Sequence, residues 1–123
     1  MENIIKVEYN GKPYKMFQGT YYNIETPDEV IKVIQTAKDG NVRIVLDYGD
    51  IKTGKSWGEQ YDITGYVGRS TGEVKIPLLI HNTRSMGGGA ILTHCIIKIV
   101  RSNDKKRVLY QHPSYQPYQP KLK

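Results

Sequence analysis

The sequence predicts an α+β fold, a mostly antiparallel β-sheet with one amphipathic helix packed on it. Three observations support this prediction. Only residues 26–40 place apolar side chains at helical spacing, the chain from residue 42 onward changes to the spacing of strands, and no second helical segment separates those strands. Parallel strands need such crossover segments, so we expect neighbouring strands to pair antiparallel. The 123 residues are enough for one hydrophobic core.

The N-terminal residues predict a β-hairpin. Residues 4–9 are rich in β-prone side chains, and residues 10–13, Asn-Gly-Lys-Pro, have the composition of a turn. A second short β-prone stretch follows at residues 14–17. We therefore expect two short strands joined by that turn.

The clearest helix is expected to begin at Thr26. This residue suits an N-cap, Pro27 suits the first helical position, and Glu29 completes a capping box with Thr26. Apolar residues then recur at helical spacing until Gly40 ends the helix. These apolar residues are Val30, Val33, Ile34 and Ala37. We expect them to form the face that packs on the sheet.

Later segments predict strands because they are β-prone and separated by polar turns. They are residues 42–48, 57–67, 74–81, 92–100 and 107–110. The last residues combine proline, tyrosine and glutamine, a composition that forms neither a ladder nor a helix. We therefore divide the chain into a single α+β domain, residues 1–111, and an extended tail, residues 112–123, that is either disordered or laid across a partner subunit.

Charge is unevenly distributed along the chain. The first fifty residues carry six Lys and Arg against eight Asp and Glu, whereas the remainder carries twelve against four, a net charge of +8. This asymmetry favours an anionic partner for the second half, although basic surface charge also serves solubility. There is no apolar run that could span a bilayer and no leader pattern, and the lone Cys95 suits a reducing compartment. We expect a cytoplasmic protein that is not attached to a membrane.

Residues 49–56, Gly-Asp-Ile-Lys-Thr-Gly-Lys-Ser, match the Walker A pattern letter for letter. A working P-loop continues into a helix whose N-terminus faces the phosphates. Here the following residues are β-prone and contain two glycines. We interpret the match as a turn between two antiparallel strands.

Residues 68–72, Gly-Arg-Ser-Thr-Gly, match the nucleophile elbow of serine hydrolases, in which a strand turns sharply into a helix. A strand is predicted after them instead. His81, His94 and His112 have no evident acidic partner and are too far apart in the sequence for metal-ligand spacing. We predict a protein that is not an enzyme, with no catalytic residues, metal or cofactor.

Two glycine-containing segments predict a phosphate site. In residues 68–72 and again in residues 82–89, Asn-Thr-Arg-Ser-Met-Gly-Gly-Gly, an Arg-Ser pair stands beside glycine. A guanidinium matches phosphate oxygens, hydroxyls add donors, and glycines let backbone N–H groups approach an anion. The apolar strand between the two segments would present them as loops from a rigid support. The alternative is that these glycines only make tight turns or a bulge.

An aromatic surface completes the predicted site if the ligand carries a nucleobase, since Trp57 or one of the ten tyrosines can stack on a base. The candidate ligand-binding residues are Trp57, Arg69, Ser70, Thr71, Lys75, Asn82, Arg84, Ser85, Gly87 and Gly88. We expect a site of this composition to suit phosphate without supplying groups for catalysis.

The same region, residues 65–92, resembles a known family. Its blocks Gly-Arg-Ser-Thr-Gly, Lys-Ile-Pro-Leu-Leu-Ile and Arg-Ser-Met-Gly-Gly-Gly-Ala-Ile-Leu are similar to those of the first type of phage-encoded Thoeris anti-defence protein. These small prophage proteins capture the cyclic ADP-ribose signal made by bacterial TIR-domain enzymes. The resemblance extends more loosely over residues 42–113, and the N-terminal strands and helix carry no matching motif.

The resemblance implies binding and sequestration of a cyclic ADP-ribose isomer (gcADPR), without degradation, in the cytoplasm of the infected or lysogenic bacterial host. It also implies a homodimer or higher homo-oligomer with pockets at or near subunit contacts, and some members are similar in also holding cyclic oligonucleotides. Two other functions remain open. A basic phage protein that binds nucleic acid or inhibits a host enzyme by direct contact is favoured by the net charge of +8 on residues 51–123 and by residues 105–107, Lys-Lys-Arg. A phage structural part is favoured only by the chain's size and its tail.

Overall fold

The structure, a computed structural model, describes residues 3–71, 74–81, 89–91 and 93–119. Its elements are β1 Ile5–Tyr9, β2 Lys12–Phe17, β3 Thr20–Asn23, α1 Asp28–Asp39, β4 Ile44–Gly49, β5 Ser56–Thr71, β6 Val74–His81, β7 Gly89–Ile91, β8 Ile96–Arg101 and β9 Asp104–Gln111. Within these residues, one sheet has the order β1-β2-β3 and a larger one the order β7-β6-β5-β4-β8-β9. All paired strands run antiparallel. The predicted α+β fold is confirmed.

Two tight turns build the smaller sheet. Asn10 and Gly11, with φ of 52° and 76°, join β1 to β2, and Gln18 and Gly19, with φ of 50° and 77°, join β2 to β3. Positive φ at both central residues is typical of the two-residue turn that matches the twist of a hairpin. The first hairpin is as predicted. The sequence analysis missed β3, because Gln-Gly is a weaker turn signal than Asn-Gly.

The start of α1 differs from the prediction. The N-cap is Pro27 rather than Thr26, and among the described residues no side chain caps the helix. The Thr26 hydroxyl is fully buried and instead shares a 3.3 Å hydrogen bond with the hydroxyl of Thr93. Lys15 of β2 lies at this end of the helix, where it donates to the Thr26 carbonyl at 2.7 Å and pairs with Asp28 at 2.9 Å. Tertiary partners therefore replace the local capping box.

The end of α1 is as predicted, at Gly40. Asn41 follows with φ of 53°, its N–H donates to Lys38, and the N–H of Val42 donates to the Ala37 carbonyl at 2.8 Å. These two bonds form a Schellman motif, which satisfies the last carbonyls of the helix. The motif turns the chain directly into β4.

Two hydrophobic cores meet at α1. Its predicted face packs on the larger sheet, and Ile31, on another side, packs with Phe17 and Tyr22 of the smaller sheet. The buried residues of the larger core are Val30, Ile34, Ala37, Ile44, Leu46, Ile63, Ile96, Ile99 and Tyr110. The helix is therefore buried on two sides, which the single apolar stripe predicted from the sequence did not show.

A buried polar chain crosses the smaller core. The Tyr22 hydroxyl donates to Gln35 Oε1 at 2.8 Å, and Gln35 Nε2 donates to Gln18 Oε1 at 2.9 Å. Burial, aided by the charge of Asp39, raises the pKa of Tyr22 above its ordinary value, so its hydroxyl stays protonated and keeps donating. These bonds link α1 to β3 and to the turn between β2 and β3.

The predicted strand at residues 92–100 is wrong in its first half. Thr93–Cys95 forms a 3-10 turn, and β8 begins at Ile96. In a strand, the consecutive residues His94 and Cys95 would point to opposite faces of the sheet. The 3-10 turn does not have this alternation. Burial raises the pKa of the Cys95 thiol, which keeps it protonated at neutral pH.

Candidate functional site

The predicted Arg-Ser loop at residues 68–72 is a strand through Thr71. Arg69, Ser70 and Thr71 belong to β5 and pair with Ile76, Lys75 and Val74 of β6 respectively. The loop prediction for these residues is therefore wrong, because β pairing continues up to the turn. Ser70 lies within a strand pair and not at a turn into a helix, so these residues do not form a nucleophile elbow.

The second predicted loop lies outside the described residues. The candidates concerned are Asn82, Arg84, Ser85, Gly87 and Gly88. Their assignment to a ligand site stays a prediction.

Trp57 lies at the opposite end of β5 from Arg69, Ser70 and Thr71. At about 3.3 Å per residue, up to about 40 Å of strand separates it from Arg69. Within the described residues, one copy of the chain therefore separates the predicted stacking residue from Arg69, Ser70 and Thr71 along the length of β5.

The Walker-like segment forms the turn between β4 and β5. A P-loop points its backbone N–H groups at phosphate, but here those groups bond within the chain. The N–H of Lys52 donates to Asp50 Oδ1 at 2.8 Å, and that of Gly54 donates to the Asp50 carbonyl at 2.7 Å. Strand β5 begins at Ser56 where a P-loop would begin its helix. This turn therefore lacks the helix of a phosphate-binding loop, and the N–H groups of Lys52 and Gly54 are already bonded within the chain.

The C-terminal tail packs on this turn. Gln116 pairs with Lys55 as an isolated parallel bridge, in which its N–H donates to Gly54 at 2.8 Å and its carbonyl accepts from Ser56 at 3.0 Å. His112 Nε2 lies 2.6 Å from the Ile51 carbonyl, while its Nδ1 accepts from the backbone N–H of Ser114, so the ring proton is on Nε2. The described part of the tail begins with a turn, closed by a 2.9 Å bond from the Tyr115 N–H to the His112 carbonyl, and then lies on its own chain.

Tyr115 fixes the tail to the face of the larger sheet. Its hydroxyl donates to the buried carboxylate of Asp47, and Lys98 Nζ lies 4.9 Å from the centre of its ring. Burial, together with the hydrogen bond and charge of Asp47, raises the pKa of Tyr115 to about 12. The hydroxyl is therefore protonated throughout the neutral range, and the contact persists there.

An open pocket lies between the tail and the start of β5, with a volume of about 890 Å³. Its lining residues are Lys55, Ser56, Trp57, Tyr115, Gln116, Pro117, Tyr118 and Gln119. Trp57 and Tyr118 are each 54% exposed, and the Trp57 ring meets Tyr48 edge to face at 6.0 Å. A glycine at position 58, with φ of 89°, lets Tyr118 approach, since a Cβ there would lie 2.9 Å from its ring.

The lining of this pocket combines aromatic, basic and neutral polar side chains. Two exposed aromatic faces can stack on a base, Lys55 carries a positive charge, and none of the lining residues is acidic. Of its lining, the sequence analysis identified only Trp57 as a site residue. The composition of the tail predicted an extended segment but did not indicate where on the fold it packs, so its residues were missed. Lys55 was considered only as the lysine of a P-loop.

Within residues 3–71, 74–81, 89–91 and 93–119, no three His, Cys, Asp or Glu side chains are close enough together to hold a metal ion. The same residues contain no helix with the length and apolar character needed to cross a bilayer.

Comparisons of the chain with protein-family models, with curated protein sequences and with solved structures give no significant match.

Proposed function

We propose that this chain binds a cyclic ADP-ribose isomer such as gcADPR and sequesters it without degrading it. The observation that carries the proposal is the open pocket beside Trp57, in which exposed aromatic faces stand next to a lysine and no acidic group. Its volume of about 890 Å³ lies within the range of pockets for small organic ligands. The family resemblance of residues 65–92 supports the same ligand class.

In this proposal, base stacking and phosphate pairing both contribute to the binding free energy. An adenine base placed on Trp57 or Tyr118 gains about 1–3 kcal/mol from stacking. A signal held at nanomolar concentration needs about 12 kcal/mol of binding free energy in total. Stacking alone is therefore insufficient, and charge-assisted bonds to the two phosphates must supply a large share.

A second copy of the chain is the source we propose for those bonds. Arg69 in β5 and Lys75 in β6 belong to the turn end of the β5–β6 hairpin, whereas Trp57 lies at the opposite end of β5. In an antiparallel dimer, the hairpin end of one copy would lie beside the pocket of the other. The proposed binding unit is therefore a homo-oligomer, and a monomer would hold the base without the phosphates.

The first test measures the fluorescence of Trp57, which is the single tryptophan of the chain. Titration with gcADPR should change its fluorescence if the base stacks on it. Trp57→Ala should raise the Kd about 5- to 150-fold, the equivalent of one lost stacking contact. Trp57→Phe keeps a stacking face and serves as the matched control. An unchanged Kd for Trp57→Ala would contradict the proposed pocket.

A second test separates sequestration from turnover. After incubation with the protein, heat denaturation should release gcADPR with its mass and nuclear magnetic resonance spectrum unchanged. Altered ligand would show an enzyme instead. An unchanged Kd for gcADPR in Arg69→Ala, beside a raised Kd in Trp57→Ala, would show that the two ends of β5 do not bind the same ligand.

Nucleic-acid binding is the second candidate, favoured by Lys105, Lys106 and Arg107, which are all exposed on β9. Phosphate contacts of this kind make affinity fall steeply as salt rises. Binding of duplex or single-stranded DNA with a steep salt dependence, lost in Lys105→Gln/Lys106→Gln but not in Trp57→Ala, would favour this function over the first.

A further inference from the structure

A second pocket lies between α1 and the strands β8 and β9, away from the tail. Its volume is about 330 Å³. The residues that line it are Lys32, Val33, Thr36, Ala37, Val42, Arg101, Arg107 and Leu109. Four of them are aliphatic and form an apolar floor that is continuous with the larger core. The other side of the pocket carries cations.

Three positive charges converge here without a described counter-charge. Lys32 comes from α1, Arg101 from the end of β8, and Arg107 from β9. None of the lining residues is acidic, and none of these three cations makes an ion pair with a described residue. Like charges brought together raise the free energy of the folded state unless an anion joins them.

Arg101 gives a second, independent observation. Its Nε atom is buried and has no hydrogen-bond partner among the described residues. Asp104 faces Arg101 across the β8–β9 turn, but its Oδ1 accepts from the backbone N–H of Lys106 and its side chain is exposed. A buried guanidinium donor without a bond is costly, so an anion that bonds Arg101 would stabilise the folded protein.

We propose that this pocket binds a small amphipathic anion, an organic carboxylate with an aliphatic or aryl body. The carboxylate would lie between Arg101 and Arg107, where a planar guanidinium can bond both of its oxygens. The body would lie on the aliphatic floor formed by Val33, Val42 and Leu109. This site is separate from the pocket at Trp57 and does not depend on the function proposed for it.

A second copy of the chain is a poorer occupant. A two-fold interface places the same patch on both partners, so the three cations of one copy would face those of the other. A concave, basic pocket of about 330 Å³ instead suits one small ligand, since ligand pockets combine a mainly apolar lining with a few polar groups.

Octanoate and octan-1-ol form a matched pair of probes, because they share the chain and differ in charge. Isothermal titration of the full chain should show tighter binding of octanoate than of the alcohol. Arg101→Gln should weaken octanoate at least about tenfold and leave the alcohol nearly unchanged. Hexanoate should bind more weakly than octanoate, by up to about fourfold for each methylene removed.

Two variants test whether the probes bind in this pocket. Thr36→Trp places a large side chain in the pocket from the exposed face of α1, and it should block both probes without removing a cation. Lys106→Gln removes a neighbouring exposed charge of β9 that does not line the pocket, and it should bind octanoate as the unaltered protein does. Circular dichroism during thermal unfolding establishes that each variant is folded.

Three outcomes would overturn the proposal. They are equal affinity for octanoate and octan-1-ol, an equal loss in Lys106→Gln and Arg101→Gln, and no binding of either probe to the folded protein. A change in the mass of the oligomer in Thr36→Trp without any effect on octanoate would show that the pocket faces another copy, which also contradicts it.

Discussion

Gly54 allows the tail to pack closely against the turn between β4 and β5. A Cβ on Gly54 would be 2.5 Å from the Ser114 carbonyl oxygen and 2.7 Å from His112 Nδ1. Gly54 also has φ of 78°, a left-handed conformation that side chains resist. The second glycine of the Walker A pattern is therefore required by the tail packed against it.

Gly54→Ala should lower the free energy of unfolding by about 2–3 kcal/mol, because it combines backbone strain with a clash against the tail. Gly11→Ala is the matched control, since Gly11 has φ of 76° and open space around it. The control should cost only about 1 kcal/mol from backbone strain. Urea denaturation measures both, and equal losses would contradict the close packing of the tail.

The Tyr115 hydroxyl predicts a dependence on alkaline pH. Its folded pKa of about 12 lies above the ordinary value of 10.0, so the folded state holds this proton more tightly than the unfolded state. Its contribution to stability is complete below pH 10 and is lost as the pH rises toward 12.

Tyr115→Phe should therefore lose less stability than the unaltered protein between pH 10 and pH 12, by about 1 kcal/mol after allowance for solvent screening. Chemical denaturation at pH 9, 10 and 11 measures the difference. Tyr22 and Tyr110 also have raised pKa values from burial and titrate in both proteins, so the comparison isolates Tyr115. Parallel curves for the two proteins would contradict the bond to Asp47.

At the scale of elements, α1 and the tail each pack on the larger sheet, and α1 also packs on the smaller one. The helix joins both cores, and the tail bonds the β4–β5 turn and the face of the larger sheet. Each element depends on partners distant in sequence. A local pattern predicts that such an element exists but not what it contacts.

Removal of residues 112–123 should expose the Ser56 amide, whose acceptor is the Gln116 carbonyl. Hydrogen exchange at Ser56 should then accelerate markedly, while exchange in the centre of β4 changes little. Removal of residues 120–123 alone is the control and should leave Ser56 protected. Equal exchange at Ser56 in the two truncated proteins would contradict the docked tail.

At the scale of the whole molecule, the larger sheet ends at β9 on one side. Lys105 and Lys106 are exposed on this edge strand. Charged edge strands discourage pairing with the edge of another sheet. These residues therefore have a role that is independent of any ligand.

Lys105→Thr/Lys106→Thr should increase self-association at low salt, because it replaces charge by β-prone, neutral side chains on that edge. Static light scattering measures the change. Lys38→Thr removes a charge from the exposed surface of α1 and is the control. A rise in scattering of the same size in Lys38→Thr would show that net charge, and not the strand edge, limits association.

The sequence by itself determined the α+β class, the first hairpin, the helix that ends at Gly40, and the strand at Val74–His81. Periodicity and turn residues carry this information because they act within a few positions along the chain. The same local signals also showed that the residues after the Walker-like segment form a strand and not a helix.

Only the tertiary structure decided what Thr26, Lys55 and Tyr115 contact. Thr26 bonds Thr93 in place of a helix cap, and Tyr115 bonds Asp47 across the sheet. The pocket at Trp57 exists because a tail from the far end of the chain lies against the start of β5. Contacts between residues so far apart in sequence leave no periodic signal, since they arise from packing and from the direction in which each strand leaves its turn.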